Sequence, residues 1–214
     1  MIATIITSII SFIGTNIDDT FVLAVWFSQV DSHFQKKDVV IGQFVGFEFL
    51  VLISVFAAYG LSFLPTDKVG WLGVIPIIVG IQKWYQYRKK TSENPEETAV
   101  KKVINHDLKF RINKRLPHLT RIIRTQMLSV AFVTISNGAG NLTVYIPLFT
   151  EYSIGELILT VVVFTIMTGV WCFIGYTIAN LPFIKDKLEH YKEIIIPIVF
   201  VAIGIYVLWE SGII

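Results

Sequence analysis

The sequence predicts an all-α membrane protein, with six transmembrane helices arranged as two inverted three-helix repeats and both termini external. Three observations carry this reading. Of 214 residues, 54% are hydrophobic and only 16% charged, and mean hydropathy is +0.65, which suits an embedded chain with a short soluble part. The apolar residues fall into six runs, at about 2–28, 39–64, 70–87, 122–149, 155–180 and 193–211. Each is near the ~20 residues, at ~1.5 Å per residue, that cover a hydrocarbon core. Finally, seventeen of the 18 Lys and Arg residues, Lys83 among them, fall in the joints at 29–38, 83–124 and 181–192. Lys68 stands alone on the other side. Basic loops stay in the cytoplasm, so those three joints are assigned inside.

The first run holds Asn16-Ile17-Asp18-Asp19-Thr20 near its middle. An Asp at bilayer depth costs roughly 2.5–3.5 kcal/mol on insertion scales, so a pair reads as an ion or substrate site rather than as a cap or a link to another helix. The run lacks the basic start and small-residue cleavage site of a signal peptide and reads as a retained span. The second run carries Glu48 at depth, which suits either a proton carrier or a local bond to a neighbouring helix. The third run contains Ile75-Pro76-Ile77 followed by Gly80.

A charged stretch at 88–120, with Pro95 and Pro117, reads as a cytoplasmic basic loop; Val103, Leu108 and Ile112 suggest a short surface helix within it. It separates a first repeat at 1–87 from an inverted second repeat at 121–214. The fourth run holds Asn137-Gly138-Ala139-Gly140-Asn141, opposite the aspartate motif of the first half. Two glycines there favour a broken helix that turns carbonyls inward over close helix packing. Cys172 in the fifth run is alone and excludes a disulfide framework, so packing is its expected role. The sixth run repeats the proline motif as Ile196-Pro197-Ile198, with Gly204 after it. Pro76 and Pro197 are taken with Gly138 and Gly140 as helix-breaking positions.

Asn16 and Asp19 are three apart and share a helix face; Asn137 and Asn141 are four apart and share another. If the first and fourth runs cross, Asp18, Asp19, Asn16, Asn137 and Asn141 converge as oxygen donors, with Thr15, Thr20 and Ser136 in reserve. Such a set suits a hard or borderline divalent cation. His33, His106, His118 and His190 fall at the cytoplasmic joints and are expected to be solvated. No serine at depth has a histidine or lysine at its level, so enzymatic function is not expected, and topology explains the basic charge without nucleic acid.

Thr15-Asn16-Ile17-Asp18-Asp19, Ile41-Gly42-Gln43-Phe44-Val45-Gly46, Gly73-Val74-Ile75-Pro76 and Asn137-Gly138-Ala139-Gly140-Asn141 together resemble the cadmium resistance transporter (CadD) family of the LysE superfamily of bacterial exporters. The resemblance covers essentially the whole chain. It implies a multi-pass protein of the bacterial plasma membrane that exports a toxic divalent cation, cadmium or similar, as a secondary transporter by alternating access, with no cofactor. Membrane lipid and the metal ion are the implied partners, and a homo-oligomer is compatible with it. The family motif in the fourth run reads Asn-Gly-Ala-Asp-Asn, whereas this chain has Gly140 at the fourth place, one carboxylate fewer. An exporter of a small organic cation or amino acid, or a non-transporting membrane scaffold, are the competing readings.

Overall fold

The computed structural model describes residues 1–61, 63, 69–88, 125–180 and 182–213. Among these residues every regular element is helical, in the order α1 (Ile2–Asn16), α2 (Asp19–Ser28), α3 (Lys36–Leu61), a 3-10 turn (Trp71–Gly73) leading into α4 (Val74–Arg88), α5 (Thr125–Asn137), α6 (Ala139–Thr150), α7 (Ile154–Asn180) and α8 (Pro182–Glu210). By length and composition α3 and α7 can each cross a membrane; α1 with α2, and α5 with α6, pass the same test as pairs bent by 60° and 67°. That gives two crossings, or up to four with the bent pairs. At 15 residues α4 is shorter, as is the apolar part of α8, Ile194–Glu210. The basic loop beyond Arg88, Lys68, His106, His118 and the side chain of His190 lie outside the described part.

Local chemistry sets the helix starts. Asp38 reaches back to the Gln35 amide at 2.9 Å, capping α3 from its first turn. Ser153-Ile154-Gly155-Glu156 forms a capping box at α7: the Ser153 amide and hydroxyl donate to Glu156 at 3.1 and 2.7 Å, and the Glu156 amide donates back to the Ser153 hydroxyl at 3.4 Å. At the other extreme α8 closes on Gly212, whose φ of 73° a side chain would resist, with the Ile213 amide bonded to the Leu208 carbonyl at 3.1 Å.

Each long helix lies against the bent pair of the other half. The α3 helix packs on α5 and α6, α7 packs on α1 and α2, and α4 packs on α8. Small residues permit the approach. A Cβ at Gly46 would sit 2.7 Å from the Ala131 carbonyl, and one at Gly73 would sit 2.7 Å from the Gly204 carbonyl. Phe12 lies at the centre, edge-on to Phe47, Phe164 and Trp171 at 5.2, 5.6 and 5.2 Å. Large apolar side chains such as Phe49, Phe56, Ile166 and Phe173 point outward instead, as expected of a surface that meets lipid. Cys172 is buried in the core cluster, as its apolar run predicts.

The bundle has two chemically distinct ends. At one, Lys36 at the start of α3 donates to the Tyr176 hydroxyl near the end of α7 at 2.6 Å, and Tyr176 also meets Phe27 of α2. At the other, Thr4 of α1 donates to Glu156 of α7 at 3.1 Å. Glu151, between α6 and α7, is close enough to Glu210 at the end of α8 for the two charges to interact. Burial raises the Glu151 carboxyl above its usual range, Glu210 adds to this, and a hydrogen bond with Thr150 opposes it.

Candidate cation site at two helix breaks

The α1–α2 break is built around Asn16. The amides of Thr20 and Phe21 bond back to the Ile17 and Asp18 carbonyls at 3.3 and 3.1 Å, one residue short of the α-helical reach. The Asn16 carbonyl thereby loses its helical donor, and the Trp171 indole supplies one at 2.6 Å. The Asn16 side-chain amide donates to the Phe12 carbonyl (2.9 Å), the Thr15 hydroxyl (2.9 Å) and the Tyr145 hydroxyl (2.7 Å). Thr15 and Tyr145 share a further bond of 2.6 Å. The oxygen of the Asn16 side chain accepts from Asn141 at 3.2 Å, so the breaks of the two halves touch through their asparagines.

Asp18 and Asp19 lie beside this network, buried at 7% and 6% exposure. Asp18 Oδ2 pairs with Lys83 Nζ at 3.3 Å. Asp18 Oδ1 and Asp19 Oδ2 are buried and have no hydrogen-bond partner. A buried carboxylate oxygen without a donor is costly, and a cation, a proton or a water would satisfy it. The N-terminus of α2, where Asp19 stands in the first turn, adds a favourable dipole. Gln43 of α3 also faces Asp19. Thr134 donates to its Oε1 at 2.7 Å, which leaves the amide hydrogens of Gln43 for the carboxylate.

The α5–α6 break falls at Gly138, with φ −74° and ψ 5°. Its Cβ position is blocked by Leu50 Cδ1, so Gly138 serves close packing as well as the bend. The Asn137 side-chain nitrogen is buried without a partner. Around Gly140 there is open space, and a Cβ there would meet nothing within 4 Å.

Several sequence expectations need correction. Asn16 and Asp19, and likewise Asn137 and Asn141, do not share a continuous helix face, because each bend falls between the two members. Gly140 lies inside α6 with its carbonyl bonded to the Thr143 hydroxyl at 2.7 Å, so it is not where the helix opens. Pro76 is the third residue of α4, just past the 3-10 turn Trp71–Gly73 where the helix changes type. Helix α8 runs through Pro197, whose carbonyl instead seats against Gly80 at 2.9 Å from the position of a Cβ. Ser136 turns away, bonded to the Phe132 carbonyl at 2.8 Å. Glu48 accepts from Thr165 of α7 at 2.8 Å, the local interhelical bond. Lys83, counted with the cytoplasmic joints, reaches inward to the aspartates. His33 is exposed.

Four residues of the network carried no signal as site residues: Gln43, Lys83, Tyr145 and Trp171. Of these only Lys83, a charge inside an apolar run, stood out as a residue type. No group of three or more His, Cys, Asp or Glu gathers among the described residues.

A family model described as cadmium resistance transporter matches residues 12–214 of this chain. Neither the curated proteins nor the solved structures yield a match.

Proposed function

The chain belongs to the cadmium resistance transporter family, and from that premise we propose that it exports a divalent heavy-metal cation, with Asp18 and Asp19 neutralising the ion. The observation that carries the proposal is the pair of buried, unpartnered carboxylate oxygens at the α1–α2 break. Asn16 and Asn141, joined at 3.2 Å, tie that break to its counterpart in the second half, where Asn137 keeps an unpartnered amide. An ion held between two bent pairs is released to either side by a change in their relative tilt, which is alternating access.

The proposed architecture is two inverted three-helix repeats in the bacterial plasma membrane, with lipid around them. It is supported by the recurring order of bent pair, long helix and a third helix with a shorter apolar stretch, and by the packing of each long helix on the opposite bent pair. Glu48 is the candidate for proton coupling. A second reading has one observation in its favour: Asp18 already holds an ammonium, that of Lys83, so a small organic cation also suits the site.

Purified protein in liposomes, assayed with cadmium, zinc and a panel of amines and amino acids, tests the choice. Cadmium flux is expected in the wild type and loss of flux in Asp19→Asn, with the helical content kept because an amide is cheaper to bury than a carboxylate. Flux in Asp19→Asn equal to the wild type would make the aspartate structural and end the proposal. Transport of amines alone would establish the second reading.

A further inference from the structure

Lys83 is the one cation recorded against the aspartates among the described residues. It lies five residues before the end of α4 and is only 25% exposed in its side chain, deeper than a joint lysine needs to be. Its ammonium pairs with Asp18 Oδ2 at 3.3 Å and also stands 5.7 Å from the ring centre of Phe200, a buried residue of α8.

We infer that Lys83 is a tethered competitor for the substrate site: its ammonium and the exported divalent cation take Asp18 in turn. The inference rests on the reading that Asp18 and Asp19 hold the cation. Formal charge favours the exchange. Two carboxylates and one ammonium leave one negative charge, whereas adding a divalent ion to all three would leave a net positive charge in a buried site. A displaced ammonium has a place to go, since it already faces the Phe200 ring and is part-exposed to solvent. Its return to Asp18 then weakens the hold on the metal and favours release, which an exporter needs more than tight binding. Lys83 is therefore a positioning and specificity residue that acts through Asp18.

The test uses the full chain in detergent and cadmium chloride as the ligand. Lys83→Met, which keeps the length of the side chain, is expected to bind cadmium at least about tenfold more tightly than the wild type, because a like charge beside the site is gone. Ethylammonium, a free copy of the lysine head, is expected to weaken cadmium binding in Lys83→Met and to leave the wild type unchanged. A purely structural lysine would not produce that competition. On the wild type itself, reductive methylation mapped by mass spectrometry is expected to label Lys83 several-fold faster with cadmium than with sodium chloride at equal ionic strength.

Unchanged or weaker cadmium binding in folded Lys83→Met overturns the role of Lys83 and leaves the site standing. If Lys83→Met does not fold, the methylation result decides, and labelling that cadmium leaves unchanged or slows overturns the inference. Absence of cadmium binding in both proteins overturns the aspartate site on which it rests.

Discussion

Tyr145 and Trp171 hold Asn16 in place, and neither belongs to the polar motifs of the sequence. Tyr145→Phe removes the hydroxyl that accepts from Asn16 and pairs with Thr15. Asn16 keeps the Phe12 carbonyl and the Thr15 hydroxyl as acceptors, so the expected stability loss is about 1 kcal/mol, the lower end for a broken buried hydrogen bond. Cadmium affinity should fall by more than stability does, because the side-chain oxygen of Asn16, shared with Asn141, loses its fixed direction. Thermal unfolding and titration calorimetry on the same preparation measure both; equal affinity in Tyr145→Phe and wild type would show that the asparagine bridge has no part in binding. The contrast between legible and illegible residues is physical. Asp18 and Asp19 were legible because a charge in an apolar run has a cost visible in one dimension. Gln43, Tyr145 and Trp171 have ordinary residue types for such helices, and only tertiary contact gives them work.

Among the helices, existence was more legible than direction or breakage. Each of the six apolar runs overlaps the helices found, from Ile2–Asn16 with Asp19–Ser28 through to α8, whose start at Pro182 lies well before the apolar run because a helix does not stop where hydropathy falls. The bends lie at the Asn-Ile-Asp-Asp and Asn-Gly motifs, whereas of the two prolines of the repeated Ile-Pro-Ile motif Pro197 lies in unbroken helix and Pro76 just past the 3-10 turn that opens α4. Proline loses a hydrogen bond only where a donor was needed, and its carbonyl can still pack, as that of Pro197 does on Gly80. The glycines of α3 divide in a testable way. Gly46→Ala puts a Cβ 2.7 Å from the backbone carbonyl of Ala131 and 2.8 Å from the Thr134 side chain, so α3 must move from α5 and strain the Thr134–Gln43 bond. Gly60→Ala meets nothing within 4 Å and gains helix propensity of up to ~1 kcal/mol. The expected pair of results is a lowered Tm with weakened cadmium binding for Gly46→Ala, and an unchanged or raised Tm for Gly60→Ala. Similar behaviour of the two would mean that the α3–α5 approach is looser than the contact distances require.

For the whole molecule, the charge asymmetry of the sequence and the two ends of the bundle point the same way. The start of α3 and the ends of α2 and α7 share one end, where Lys36 meets Tyr176. The start of α1, the start of α7 and the end of α8 are drawn to the other, which gathers Glu151, Glu156 and Glu210. If the positive-inside rule holds for this chain, the end that carries Lys36 faces the cytoplasm and the N-terminus is external. From the acidic end a buried polar stripe of α1, at Thr4, Ser8, Ser11 and Thr15, climbs one face at helical spacing to Asn16, with Ser8 paired to Thr160 at 2.8 Å and Ser11 left without a partner. Orientation therefore decides which side of the membrane that stripe faces. Exposed serines at the two ends report it directly, because the native Cys172 is buried and Cys172→Ala removes any background. In that background Ser28→Cys, at the last residue of α2, should react in intact cells with permeant thiol reagents alone. Ser153→Cys, before α7, should react with impermeant ones as well; it forfeits the capping box, at a cost of about 1 kcal/mol, and so calls for a check of expression. Labelling of position 28 but not 153 by the impermeant reagent would invert the bundle and turn the polar stripe toward the cytosol.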